Sequence, residues 1–218
     1  MKNKIILDLC GGTGSWSLPY KDAGYDVKVI SLPKFDILKT SLINGGAWFK
    51  GENINLWIPI ERVYAILSAP PCTHFAGSGA QYWKQKDKDG RTQEGLDIID
   101  MCLDIIGHFS PKIWALENPV GRLPELRGDR LGDIKLKFNP CDYGDAWTKK
   151  TYVWGQFNIL VKKPIELTEK QKLECKISNR KLKNIPKDYI QDKNMTKLQI
   201  KRSITPVGFA RAFFDANQ

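Results

Sequence analysis

Three stretches of this chain carry residue types that could do chemistry together. In Leu67-Ser-Ala-Pro-Pro-Cys-Thr-His-Phe-Ala76 a single cysteine, Cys72, follows two prolines. A thiol serves as a nucleophile when it is ionised and cannot swing away. Pro70 and Pro71 supply the second condition, since each fixes its own φ and Pro71 also keeps Pro70 out of helical geometry. In Ile113-Trp-Ala-Leu-Glu-Asn-Pro119 the acid Glu117 comes after four apolar residues, where burial would favour the protonated carboxyl and suit it to donate a proton. In Leu9-Cys-Gly-Gly-Thr-Gly-Ser-Trp-Ser17, just past Asp8, glycines would let backbone and a ligand come close. Each has a plain alternative. Cys72 could be a small core thiol in an ordinary turn, Glu117 the partner of nearby Arg122, and Asp8 the cap of its own turn.

The elements that must position these residues alternate strand and helix. Lys4 to Asp8 reads as a first strand, the glycine turn follows, and a helical stretch runs to about Ala23. Tyr25 to Ser31 reads as a second strand. Val63 to Leu67 is a short uncharged run that suits a buried strand of a parallel sheet, and it ends at Pro70. Apolar positions at Leu96, Ile99, Cys102, Leu103, Ile106 and Phe109 give helical periodicity over residues 92 to 110. Another strand, Ile113 to Leu116, is expected to stop before Pro119, then one over Thr148 to Gly155. A last helix spans Val207 to Ala216, with Thr205 and Pro206 as cap and first turn. This order predicts an α/β fold, a doubly wound sheet with helices on both faces, whose ligands sit beyond the carboxyl ends of the strands. Two strand ends would then offer a thiol and a carboxylate to one pocket.

Other stretches are less regular. A ribose-binding enzyme usually places an acid at the end of the second strand, and here Ser31-Leu32-Pro33 stands instead. The next acid, Asp36, is placed to meet a cofactor's base from a loop or to cap a helix. Residues 40 to 60 show no clear period, and Trp48 and Trp57 are expected to pack. The polar, glycine-flanked run from Gly77 to Arg91 is long for a connection, as lids are.

At 218 residues with 42% hydrophobic and 27% charged residues, the composition is that of a globular domain with a substantial core. No apolar run reaches membrane-span length and the first residues do not read as a signal peptide, so a cytoplasmic protein with no membrane partner is expected. Five scattered cysteines without a CxxC pair argue against a disulfide framework and against a metal site. The net charge is +10, and residues 161 to 202 hold 13 Lys/Arg against 5 Asp/Glu. Such a segment suits a polyanion, nucleic acid being the commonest, or forms a solvated lysine-rich surface. The chain accordingly divides into residues 1 to 160, a basic segment over 161 to 201, and a terminal helix over 202 to 218.

In this order the motifs resemble those of the cytosine carbon-5 DNA methyltransferases that use S-adenosylmethionine. LDLCGGTGSWS resembles the family's cofactor motif, APPCTHF its Pro-Cys motif, ENPVGR its Glu-Asn motif, CDYGDAWTKKTYVWG its eighth and RSITPVGFARAFF its ninth. The resemblance implies that Cys72 is the nucleophile, that Glu117 holds and protonates the target base, and that Asn118 fixes the loop. It implies S-adenosylmethionine against Asp8, Cys10, Gly11, Gly12, Gly14, Trp16, Asp36 and Pro70. DNA, or RNA, would lie against Arg122, Lys149, Lys150 and Arg202, with a flipped base. Lys149 and Lys150 stand where the family has arginines, keeping the charge but not the planar fork. The interval between the eighth and ninth motifs is roughly 45 residues, and no tenth motif follows, which implies a compact member with a small basic appendage as its reduced target-recognition region. Few base contacts and relaxed sequence specificity follow. Methylation of RNA, or a non-catalytic nucleic-acid-binding protein that retains the fold, are the other readings.

Overall fold

The computed structural model describes residues 4–176 and 204–218. Most of the basic segment, Arg202 included, lies outside the described residues.

Continuous apolar runs form the centre of the molecule. Strand β1 (Ile5–Leu9) is buried along its whole length, and β6 (Val63–Ser68) nearly so. A strand buried on both faces needs cover on both sides, which is the condition of a parallel sheet between helices. The main sheet has six strands in the order β2-β1-β6-β7-β9-β8, with β2 (Asp26–Ile30), β7 (Ile113–Pro119), β8 (Leu136–Phe138) and β9 (Thr151–Gln156). The first four run parallel; β9 and β8 are antiparallel additions at the edge.

Alternation along the strands divides the core in two. Ile5, Leu7, Ile66 and Leu116 face helix α3 (Arg91–Phe109) with Ile99, Leu103 and Ile106. Ile6, Ala65, Leu67 and Ala115 face the opposite side, against Tyr20 of the short helix α1 (Leu18–Asp22) and Phe209 and Phe213 of α6 (Val207–Ala216), which follows α4 (Leu123–Leu131) and α5 (Glu169–Lys176) in the chain. The connection after β1 therefore covers one face and the connection after β6 the other. The strand order reverses between β1 and β6, the place where open α/β sheets bind ligands.

The stretch without a clear period is a second sheet. Strands β3 (Asp36–Ile43), β4 (Gly46–Lys50) and β5 (Asn55–Pro59) form a three-stranded antiparallel unit. Ala47, Phe49 and Ile58 point into the α3-side core. Trp48 and Trp57 pack against each other across the strands, ring centroids 5.4 Å apart, rather than in the core. Asp36 opens β3, so it is neither on a loop nor at a helix cap. A register irregularity between Asp36 and Ser41 explains why no period-2 pattern is visible there.

Three other expectations differ in detail. Pro119 does not stop β7 at Leu116, because β9 continues to pair along the other edge as far as Pro119. The 77–91 segment folds as a 3-10 helix over Gly77–Tyr82 followed by helix α2 (Trp83–Lys88). The hydroxyl of Thr205 makes no cap bond to α6.

Candidate active site

The first corner is the turn after β1. Asp8 is fully buried on the α1 side of the sheet and accepts a short hydrogen bond from the Ser17 hydroxyl, while its Oδ1 has no partner. Burial pushes the carboxyl up to about 6, against the lowering effect of Ser17. The chain passes so closely over it that a Cβ on Gly11 would lie 2.0 Å from Asp8 Oδ1, so only glycine fits. Asp8 thus orients the turn from beneath. Cys10 follows at φ 57°, its N–H donating to the Ile30 carbonyl at 2.8 Å. Hydrogen bonding with Cys102, then burial, push the Cys10 thiol well above its ordinary value, and Asp8 and Asp36 add to the effect. Asp36 is therefore close enough to the turn to act on it, although its own Oδ1 accepts the Leu38 N–H.

The second corner joins β6 and β7. Register pairs Ser68 with Leu116, so the chain leading to the cysteine loop and the chain leading to Glu117 and Asn118 leave this pairing side by side. The Nδ2 of fully buried Asn118 donates to the Pro70 carbonyl at 3.2 Å. Beyond it, the Gly77 N–H donates to the Val120 carbonyl at 2.9 Å and the Arg122 N–H to the Phe75 carbonyl at 3.0 Å. A Cβ on Gly121 would come within 1.9 Å of the Phe75 carbonyl oxygen, so the tight crossing of the two loops also requires a glycine. Proline stiffens each loop separately; these bonds make them one unit.

Glu117 points to the α1 side and Asn118 to the α3 side, as successive residues of a strand must. Glu117 is 8% exposed and pairs with Lys149 Nζ at 3.6 Å. The partner is therefore Lys149 and not Arg122. Lys149 is buried, whereas Lys150 is exposed, its carbonyl accepting the Val120 N–H.

Arg122 faces inward. Its guanidinium donates to both carboxylate oxygens of Asp87 (2.7 and 2.8 Å), to the Thr92 hydroxyl (2.8 Å) and to the His74 carbonyl, and lies over the Trp83 ring. It holds Asp87 down to about 2. The planar fork that could grip a phosphate is spent on fastening α2 and α3 to the cysteine loop. Lys86 of α2, which the sequence reading passed over, is 7% exposed and donates to the Thr73 carbonyl at 2.6 Å. Nothing in the run Lys84-Gln-Lys-Asp-Lys88 marks it off from its neighbours; only a helical turn packed against the loop does. Trp16 is likewise not at the turn's open face, being 1% exposed and packed against Phe209 and Phe213.

Asp8, Cys10, Gly11, Gly12, Gly14, Pro70, Cys72, Glu117, Asn118 and Lys149 thus gather around the carboxyl ends of three adjacent strands. Two concavities lie elsewhere, one of about 510 Å³ beside α6 and one of about 320 Å³ beyond the amino end of β7. Among the described residues, no helix is long and apolar enough to cross a membrane and no His/Cys/Asp/Glu cluster could hold a metal ion.

No protein-family model and no curated protein matches the chain. Among solved structures it is similar to a prophage-encoded E. coli protein provisionally assigned as a DNA modification methyltransferase, at 16% identity and a TM-score of 0.41, over 76% of this chain and 52% of that one. It is also similar to the Entamoeba histolytica methyltransferase EhMeth, at 14% identity and a TM-score of 0.43, over 77% of this chain and 57% of that one. The chain spans little more than half the length of either.

Proposed function

We propose that this protein is an S-adenosylmethionine-dependent methyltransferase acting on carbon 5 of cytosine in DNA. The observation that carries the reading is the fused pair of loops after β6 and β7, which presents Cys72 and the Glu117–Lys149 pair at neighbouring strand ends. Cytosine is too unreactive at carbon 5 to take a methyl group unaided. The Cys72 thiolate adds to carbon 6 as Glu117, in its protonated form, passes its proton to ring nitrogen 3, which draws the developing charge out of the ring and leaves a carboxylate for Lys149 to pair with. Lys149 keeps a positive charge behind Glu117, and Asn118 fixes the spacing of the two loops through Pro70. Carbon 5, now enamine-like, takes the methyl group; loss of its proton to a base then expels the Cys72 thiolate, and nitrogen 3 returns its proton to Glu117. The target base must leave the duplex to reach these groups.

The turn after β1 fits the methyl donor. Asp8 Oδ1 is a buried acceptor without a partner, and above pH 6 the carboxylate adds negative charge beneath a backbone stripped of side chain at Gly11, which suits a cationic sulfonium ligand. Cys10, Gly12, Gly14, Pro70 and Asp36 would border it. When bound, S-adenosylmethionine supplies an electrophilic methyl group. The strand end at β2 carries Ser31 rather than a carboxylate, which favours the second reading, a nucleic-acid-binding protein that keeps the fold without the reaction.

The test is trapping on an oligonucleotide containing 5-fluorocytosine with S-adenosylmethionine present, on DNA and RNA side by side. Fluorine cannot leave as a proton does, so a working enzyme remains attached through Cys72. An adduct on RNA alone changes the polymer. With donor binding established by calorimetry, no adduct on either overturns the enzyme reading.

A further inference from the structure

Lys86 is a buried cation for which the proposed reaction has no role. It is the buried residue of α2, in a helix whose other lysines, Lys84 and Lys88, are exposed. Its Nζ reaches the carbonyl of Thr73, the residue after Cys72, and among the described residues no carboxylate comes within ion-pairing distance. Of the neighbouring acids Asp87 is paired with Arg122 and Asp89 with Arg91, and Asp89 acts on Lys86 only without a direct contact. A largely buried lysine with one carbonyl contact and no direct ion pair is costly unless an anion lies near.

We propose that the Lys86 ammonium is the counter-charge of the Cys72 thiolate. This rests on Cys72 being the nucleophile and adds what makes it one. Burial, then Arg91 and Arg122, lower the Lys86 pKa, and Asp89 and after it Cys72 oppose the lowering, so Cys72 is close enough for its negative charge to act on Lys86. The attraction is reciprocal, so the ammonium favours the ionised thiol. The arrangement is held rather than fortuitous: Arg122 pins α2 through Asp87 and Trp83, and the same guanidinium bonds the His74 carbonyl of the cysteine loop. The other titratable groups at this corner are His74 on the loop, Asp87 on α2, Asp89 and Arg91 past it, Glu94 on α3, Arg122, and the Glu117–Lys149 pair at the end of β7. Burial, then Lys86 and Arg91, push His74 down, so it is mostly neutral near pH 7 and does not supply the charge. Lys86 is a positioning residue in this scheme and touches no substrate.

The experiment measures alkylation of Cys72 by iodoacetamide against pH in the protein without nucleic acid, mapped by mass spectrometry to separate it from the other cysteines. It does not depend on methyl transfer, so a failed fluorocytosine trap leaves it interpretable. K86Q is expected to move the profile to higher pH and slow alkylation at pH 7 about tenfold, the effect of removing one close opposite charge. K86R, which keeps the charge, restores the wild-type profile. An unchanged K86Q profile overturns the proposal, and an equal shift in K86R does too, because packing and not charge then governs the thiol. Unchanged alkylation with weakened binding of an oligonucleotide would assign Lys86 to a phosphate instead, which also overturns it. Should K86Q fail to fold, the wild type decides. A local cation speeds anionic iodoacetate relative to neutral iodoacetamide, compared with glutathione, and an equal ratio refutes it.

Discussion

Replacing Asp8 by Asn should make the protein less sensitive to pH. The carboxyl lies at 3.8 in the unfolded chain and at about 6 when folded, because burial outweighs the Ser17 hydrogen bond. Between those values the folded state binds the proton that the unfolded state has released. Stability contributed by the protonated acid is therefore full below about pH 4 and falls as pH rises to about 6, then stays level. Two units of displacement correspond to about 3 kcal/mol at 1.36 kcal/mol per unit. Asn cannot ionise, is the same size, and offers Ser17 an acceptor. The measurement is urea unfolding of both proteins at half-unit steps from pH 4 to 8. The difference between them isolates this one group from every other carboxylate. D8N is expected to gain about 3 kcal/mol on the wild type between pH 4 and pH 7, or about 6 to 12 °C in Tm for a chain of this length. A flat difference curve, or one that falls with pH, would refute the reasoning, since the carboxylate would then be stabilised where it sits.

Three further outcomes follow from the same geometry. Cys72→Ser should abolish methyl transfer while donor affinity by calorimetry stays within twofold; full activity would remove Cys72 as the nucleophile. Gly121→Ala forces a Cβ to within 1.9 Å of the Phe75 carbonyl oxygen, so thermal unfolding should show a loss of about 2 kcal/mol or more. Phe209 is fully buried, stacked on Phe138 with ring centroids 4.2 Å apart and tilted against Trp16. Phe209→Ala should cost about 3 to 5 kcal/mol in chemical denaturation, and a loss under 1 kcal/mol would mean that α6 does not cover this face in solution.

The sequence was sufficient for what depends on neighbours along the chain. The apolar runs at Ile5 to Leu9 and Val63 to Leu67, the period of α3, and the prolines and glycines that end strands all act locally, and they gave the parallel sheet and the two corners. Proline before Cys72 and after Asn118 could be read as rigidity without knowing what the loops touch. Partnership is another matter, because it depends on which strands become adjacent and which way each side chain turns. Lys149 and Lys150 are equivalent in sequence, but the two-residue period of the chain entering β9 buries one on Glu117 and exposes the other. Arg122 reads as a surface cation for a polyanion until α2 and α3 bring Asp87 and Thr92 to its fork. Trp16 leaves the ligand turn for the core because α6, nearly two hundred residues later, covers that face. The sheet of β3, β4 and β5 was hidden because its irregular register breaks the alternation by which strands are recognised. Lys86 is the extreme case: among lysines of one polar run, only the tertiary packing of a short helix against the cysteine loop takes one of them out of water, and desolvation is what gives a charge its leverage.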